Sequence, residues 1–240
     1  MTLLIRKNAG ISSAFCAAAA KTPRIHACSG ASFQRLRHLK QLGLGHVTYP
    51  NATHSRLAHS LGVLAIMSRV LRSAADTLKL SQEKQQDLRL AALLHDIGHY
   101  PYSHLMERLG DVVLTEDLIR DAGAPQSQVG LRGAAAYPGH EDLGQLIVTT
   151  QRDLRRAIGG KTRARRIADL FTRSSAADPQ LSKLLPSSLD MDRLDYLTRD
   201  ARAAGVPYGE IDVNYLLRAY PITPAARSVM YAQARCSIAV

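Results

Sequence analysis

The sequence has few cysteines and no long uninterrupted apolar run. No segment approaches the roughly 18 apolar residues of a membrane span, so we expect a soluble, cytoplasmic protein without a membrane partner. Cys16, Cys28 and Cys236 show no paired spacing, which argues against a disulfide framework and a cysteine zinc site and fits a reducing compartment. Acidic residues are missing before Asp76. Residues 1–32 are rich in Ala and Ser and resemble a transit-like leader, but we favour a poorly ordered or mis-started terminus, because no clean apolar core with a cleavage site follows their basic residues.

The composition indicates a globular, basic chain. Its 240 residues are 46% hydrophobic and 21% charged, which suffices for one large domain or at most two small ones. The net charge of +11 favours anionic partners. Basic residues concentrate in residues 152–166, without interleaved aromatics: Arg152, Arg155, Arg156, Lys161, Arg163, Arg165 and Arg166. We interpret them as a solvated helix face rather than a nucleic-acid groove, and a phosphate-bearing effector or an oligomer contact stays open.

Apolar periodicity predicts an all-α chain. Between residues 56 and 75 the apolar residues step by three or four positions, as on one face of a long helix. Ser81 is a candidate N-cap for a second helix that becomes fully apolar from Leu88 to Ile97. Residues 121–139 are predicted to be a loop that carries His140 inward. The predicted helices are 33–42, 56–75, 82–97, 103–109, 141–158, 161–172, 184–204 and 213–220.

Histidines and aspartates concentrate where the second long helix ends. His95, Asp96, His99 and His104 follow an apolar helix directly, and placing such groups at the edge of a core costs free energy unless something binds them. Two imidazoles and two carboxylates, from His59, His95, Asp96 and Asp192, suit a borderline divalent ion such as Fe, Mn, Zn, Ni or Co. Taken singly, His59 would be a satisfied core or surface histidine and Asp192 a capping or ion-paired residue.

Five segments carry a resemblance to a known family, in the same order as in its members: Phe33–Gly43, Thr53–Val63, His95–His104, His140–Glu141 and Asp190–Asp200. Together they resemble the HD-domain phosphohydrolases, and within these the deoxynucleoside triphosphate (dNTP) triphosphohydrolase-like branch. The resemblance implies a helical bundle with a metal site at its centre. It places the HD domain at residues 33–220, a poorly defined segment at 1–32 and the start of a truncated C-terminal region at 221–240.

The resemblance also implies roles for individual residues. Metal ligands fall on His59, His95, Asp96 and Asp192. Catalytic residues fall on His104, Glu107, His140 and Glu141. Contacts with the base or sugar fall on Gln41 and Leu42, and contacts with phosphate fall on Arg56 and His99. Contacts with deoxyribose fall on Tyr196 and Asp200. Arg193, where many relatives have lysine, is a further substrate-binding position. Alternatively, Arg56 is an ordinary helix-start arginine and Tyr196 a core tyrosine.

The implied activity is metal-dependent hydrolysis of a dNTP to deoxynucleoside and tripolyphosphate, with Fe, Mn, Zn, Ni, Co or Mg as the ion. A nucleotide effector and a homo-oligomer are also implied. Residues 1–32 lack the Asp-Pro-x-His-Gly type motif of relatives, and the chain ends before a second helical lobe. The alternatives are therefore a non-catalytic or regulatory metal- and nucleotide-binding scaffold from a shortened gene, or an HD phosphodiesterase or nucleotidase.

Overall fold

Helices make up the regular structure of the part of the chain that is described. A computed structural model describes residues 30–74, 79–108, 139–172, 174, 191–209 and 211–219. Its α-helices are α1 (Ala31–Gln34), α2 (Arg56–Ala74), α3 (Gln82–Leu94), α4 (His104–Arg108), α5 (His140–Thr150), α6 (Arg152–Ile158), α7 (Lys161–Phe171), α8 (Met191–Ala204) and α9 (Val213–Ala219). Two 3-10 turns cover Arg35–His38 and Gly45–Val47. No strand occurs in these ranges, which confirms the all-α prediction, and none of their helices combines the length and apolarity needed to cross a membrane.

The core lies between α2 and α3, with α8 packed against α2 and α7 packed against α3. On the periodic apolar face predicted for α2, Leu64, Met67 and Leu71 are buried and Leu61 is half-buried. On α3, Leu93 and Leu94 are buried where the helix ends. Ser81 caps α3 as predicted, since its hydroxyl accepts a hydrogen bond from the Lys84 amide at 3.3 Å. The packing brings the start of α2, the end of α3 and the start of α8 together.

Several helices are shorter than the sequence predicts. The segment predicted as a helix over 33–42 ends at His38, because Lys40 forms an isolated bridge with Ser55 and the Leu39 carbonyl accepts the Arg56 amide at 2.8 Å. The predicted helix 141–158 is two helices, since extended backbone at Gln151 separates α5 from α6. The predicted helix 82–97 ends at Leu94. Residues 121–138 and 184–190 of the predicted loop and helix lie outside the described residues.

A buried carboxylate joins α3 to α7. Asp87 is 2% exposed and accepts hydrogen bonds from Arg163 Nε at 2.6 Å and Arg166 Nε at 2.7 Å. Arg166 also pairs with Glu83. The interpretation of the basic stretch 152–166 as a solvated face is therefore wrong for Arg163, whose side chain is 10% exposed, whereas Arg166 is exposed and reaches Asp87 from the solvent side. The two arginines neutralise an aspartate that the core would otherwise leave unpaired.

Candidate metal and phosphate site

Four predicted ligands converge from three helix ends. His59 lies in the first turns of α2, His95 and Asp96 follow α3 directly, and Asp192 lies in the first turn of α8. His59 Nε2 lies 3.3 Å from His95 Nε2 and 2.9 Å from Asp192 Oδ1. Asp96 approaches both imidazoles, at 3.6 Å from His59 Nε2 and 3.4 Å from His95 Nε2. The side chains of residues as far as 133 positions apart in sequence, from 59 to 192, thus meet at one point in the fold.

Each of the two imidazoles is anchored through the nitrogen that faces away from this point. His59 Nδ1–H donates to Asp195 Oδ2 at 2.8 Å, and His95 Nδ1–H donates to the Ala92 carbonyl at 2.9 Å. In the neutral imidazole, a proton on Nδ1 leaves a lone pair on Nε2. Both Nε2 lone pairs therefore point at the same small volume as the carboxylates of Asp96 and Asp192.

These spacings fit a divalent ion. Ligands bound to one ion at about 2.1 Å lie about 3.0 Å apart in octahedral and about 3.4 Å apart in tetrahedral geometry, close to the distances between the donor atoms here. The donor set combines neutral imidazole with carboxylate, which suits Fe, Mn, Co, Ni or Zn more than a thiolate-seeking ion. His59, His95 and Asp96 form one of the His/Asp groups in the described residues that could hold a metal ion.

The charges of the cluster also favour a cation. Burial works against a charged His59, but hydrogen bonds to Asp192 and Asp195 and the charge of Asp96 raise the pKa of His59 to about 10. Burial likewise opposes ionisation of Asp96, yet the nearby His95 and Arg56 hold the pKa of Asp96 well below its usual range. A proton on His59 thus stabilises the carboxylates, and because metal binding releases such protons, a divalent ion can replace it.

Arg56 is bound to this cluster and is not free in the cavity. It is 3% exposed, its Nη1 donates to Asp96 Oδ2, and its Nη2 donates to Ser103 Oγ and, at 3.4 Å, to the Gln41 carbonyl. A guanidinium has five N–H donors, so these bonds leave capacity for a phosphate oxygen. Arg56 Nε has no hydrogen-bond partner among the described residues. The phosphate contact predicted for Arg56 stays a prediction.

A second cluster consists of His99, His104 and His140. The rings of His99 and His140 are stacked with centroids 3.9 Å apart, and His104 contacts both edge-on at 4.8 and 5.2 Å. Burial, together with Arg56 and His140 and against the attraction of Asp96, lowers the pKa of His99 to about 4. His99 is therefore neutral at physiological pH and is held at Nε2 by Asp96 Oδ1, 3.3 Å away.

Gly98 allows the two clusters to lie side by side. A Cβ at this position would overlap the His140 carbonyl oxygen and the Gly144 amide nitrogen. The backbone after α3 thus touches the first turn of α5, which explains the glycine between the metal-ligand pair and His99. Arg35 fixes the same turn, because its guanidinium donates to the carbonyls of Ile97 and His99.

Both clusters open into one cavity of about 400 Å³. Most predicted site residues line it: Gln41, Leu42, Arg56, His95, Asp96, His99, His104, His140, Glu141, Asp192, Tyr196 and Asp200. His59 lies behind them, fully buried, and Arg193 is exposed and is not among the lining residues. The side chain of Glu107 lies outside the described residues, so its predicted partnership with His104 stays a prediction.

Sequence reasoning missed the groups that hold the predicted residues in place. Asp195 binds His59, and Arg199 binds Asp195 through Nε and Nη2, each at 2.8 Å. His54 Nε2 lies 2.7 Å from Asp200 Oδ1. A signal for Asp195 was present, since it follows Asp192 by three residues and Arg199 follows Asp195 by four, which puts all three on one helical face.

Comparison with known proteins identifies the family. The HD domain model matches residues 56–200, more than half of the chain. The chain belongs to the HD domain family. All four predicted metal ligands and the second histidine cluster lie inside this HD domain. The resemblance to HD-domain phosphohydrolases of the dNTP triphosphohydrolase-like branch is confirmed.

Individual relatives agree with this assignment. The uncharacterized protein YwfO of Bacillus subtilis is 34% identical over 188 residues, covering 78% of this chain and 37% of YwfO. The deoxynucleoside triphosphate triphosphohydrolase SAMHD1 of Bos taurus is 28% identical over 199 residues, covering 72% of this chain and 32% of that protein. A crystal structure of a phosphohydrolase from Bacteroides thetaiotaomicron has a TM-score of 0.61 and 28% identity, covering 83% of this chain and 43% of that one. The chain spans between about a third and about two fifths of the length of these relatives.

Proposed function

We propose that this HD domain is a metal-dependent phosphohydrolase that acts on nucleotides, with a dNTP as substrate and deoxynucleoside and tripolyphosphate as products. One observation carries the proposal: the His59, His95, Asp96 and Asp192 cluster and the three-histidine cluster face the same cavity of about 400 Å³. A phosphate in that cavity would be next to both a cation site and several proton-carrying groups. The relatedness to bovine SAMHD1 supports the choice of dNTP.

The metal ligands would hold a divalent ion, which lowers the pKa of a bound water and polarises a phosphate oxygen. Arg56 would add a fixed positive charge, and its contact with Asp96 keeps the guanidinium oriented. His99 is neutral and its single N–H is held by Asp96, so it would border the phosphate without adding a second charge. The ion and Arg56 together would neutralise the charge that develops on the phosphoryl group.

Proton transfer falls to His104 and His140, which line the cavity beside His99. In the proposed reaction a water oxygen bonds to the α-phosphorus and the bond from phosphorus to the 5′-oxygen breaks. The attacking water gives a proton to one of these histidines and the leaving 5′-oxygen takes a proton from the other, which yields the deoxynucleoside, while the new phosphorus–oxygen bond completes tripolyphosphate. Imidazole is the side chain that performs this exchange most readily near neutral pH.

The nucleoside would occupy the part of the cavity lined by Gln41, Leu42, Tyr196 and Asp200. The side chain of Asp200 is held by the His54 imidazole. The backbone amide of Gln41 donates to the backbone carbonyl of His54 at 3.0 Å, which places Gln41 and His54 next to each other. A carboxylate and an amide side chain suit the hydroxyl groups of a sugar.

Product identification tests the proposal. Protein reconstituted with Mn²⁺, Co²⁺ or Fe²⁺ is incubated with a dNTP mixture and the products are resolved by ³¹P NMR. We expect tripolyphosphate, its absence with a His95→Ala/Asp96→Ala double variant, and unchanged product with Asp153→Asn, an exposed change on α6. Pyrophosphate or orthophosphate as the first product would refute the reaction. Binding of dNTP without any product would instead indicate a regulatory scaffold.

A further inference from the structure

Asp195 is a buried carboxylate that the proposed chemistry does not use. It lies on α8, is 7% exposed and follows the ligand Asp192 by three residues. Its Oδ2 accepts from His59 Nδ1 at 2.8 Å and from Arg199 Nε at 2.8 Å, and its Oδ1 accepts from Arg199 Nη2 at 2.8 Å. Both oxygens are therefore bound, and the carboxylate has a single orientation relative to the imidazole.

Gly62 on α2 makes room for this arrangement. A Cβ at position 62 would overlap Asp195 Oδ1 and Arg199 Nη2. Glycine inside a helix costs about 1 kcal/mol relative to alanine, so its presence in the middle of α2 requires a packing reason. That reason is that Asp195 and Arg199 lie directly against the helix that carries His59.

We propose that Asp195 and Arg199 are a positioning pair that holds His59 for metal binding. Asp195 keeps the proton on His59 Nδ1 and the Nε2 lone pair directed at His95, Asp96 and Asp192, while Arg199 prevents the carboxylate from rotating. Outer groups of this kind fix the tautomer and ring orientation of a ligating histidine and increase its basicity. The inference rests on the metal site of the proposed function.

The other ligating imidazole provides an internal contrast. His95 Nδ1 binds the Ala92 carbonyl, a backbone group of its own helix. Substitution cannot remove that anchor, whereas the anchor of His59 is a side chain on another helix. A change at Asp195 therefore alters one ligand of the site and leaves the other ligands in place.

The test compares metal affinity in matched variants. Asp195→Asn keeps the shape of the side chain but loses its charge, and we expect Mn²⁺ and Co²⁺ to bind 10- to 100-fold more weakly, roughly the usual effect of losing such a partner. Affinity is measured by competition with a chelating dye, and the visible absorption of bound Co²⁺ reports the ligand geometry. Asp87→Asn is the matched control, because Asp87 is also a buried aspartate bound by arginines but lies away from the site. The control should lose stability and keep wild-type affinity and spectrum.

A second variant covers a failure of Asp195→Asn to fold. The Arg199 side chain is 25% exposed, so Arg199→Gln removes the two hydrogen bonds from the guanidinium to Asp195 with less damage to the core. We expect a smaller loss of metal affinity than in Asp195→Asn. Wild-type affinity and an unchanged Co²⁺ spectrum in the variants would overturn the inference while leaving the metal site intact. Failure of the wild-type protein to bind any of these ions would overturn both proposals.

Discussion

Acidification should destabilise this protein through His99 before its carboxylates respond. His99 is 1% exposed, its ring is stacked on that of His140, and the charge of Arg56 repels a proton on it, so a protonated imidazole is costly in the folded state. Burial is the main cause that lowers the pKa of His99 from 6.5 to about 4. In the unfolded chain the same imidazole takes up its proton near pH 6.5. Stability from His99 is therefore complete above pH 6.5 and is lost as the pH falls towards 4.

The size of the effect follows from these two pKa values. One pKa unit corresponds to about 1.4 kcal/mol, so the full contribution is about 3 kcal/mol, and most of it is lost by pH 4.5. The other groups whose pKa is shifted change stability outside the range between pH 6.5 and 4.5. The raised pKa of His59 makes its contribution constant below pH 6.5, and the lowered pKa of Asp96 and of Asp192 makes theirs constant above about pH 4.5.

The loss of stability from His99 is measured by urea unfolding followed by circular dichroism, in EDTA, at pH 7.0, 5.5 and 4.5. We expect the free energy of unfolding of the wild-type protein to fall as the pH is lowered from 7.0 to 4.5, and His99→Gln to lose about 2–3 kcal/mol less over the same range. His38→Gln, at an exposed position on the first 3-10 turn, is the matched control and should behave like the wild type. Parallel curves for wild type and His99→Gln would refute the reasoning.

Two further substitutions probe the packing that supports the site. Asp87→Ala should lower the free energy of unfolding by about 3–5 kcal/mol, because it leaves the largely buried Arg163 without its carboxylate, whereas Glu83→Ala, at an exposed pair, should cost less than about 1 kcal/mol. Equal losses in urea titrations would contradict the role of Asp87. Gly98→Ala should lower the free energy of unfolding by about 1–3 kcal/mol, because the added Cβ overlaps the His140 carbonyl, and it should also weaken phosphate-ester turnover. Wild-type thermal stability in this variant would show that Gly98 and His140 do not lie so close together.

The helices and most site residues could be predicted from the sequence because their signals are local or form a motif. Apolar periodicity located α2, and Ser81 located the start of α3. The ligand types at 59, 95, 96 and 192 pointed to one ion even without knowledge of their distances. Their convergence at one point is what the structure adds, since periodicity within each helix says nothing about which helix ends meet.

The remaining features depend on contacts between distant segments. Arg163 reads as a surface residue until the position of Asp87 on a neighbouring helix is known. Likewise, Arg35 lies on a short 3-10 turn whose sequence gives no hint that it binds the carbonyls after α3. The break between α5 and α6 at Gln151 contains no proline or glycine, so the sequence offers no turn residue that would predict it. For Arg163 and Arg35, a partner on a distant segment overrides the local pattern.

Metal analysis tests the central claim most directly. Wild-type protein and the His95→Ala/Asp96→Ala variant are loaded with Mn²⁺ or Fe²⁺, dialysed against metal-free buffer and measured by inductively coupled plasma mass spectrometry. The ligand set of His59, His95, Asp96 and Asp192 predicts on the order of one tightly held ion per wild-type chain and essentially none in the variant. A wild-type chain without metal, or a variant that keeps the full amount, would contradict the site described here.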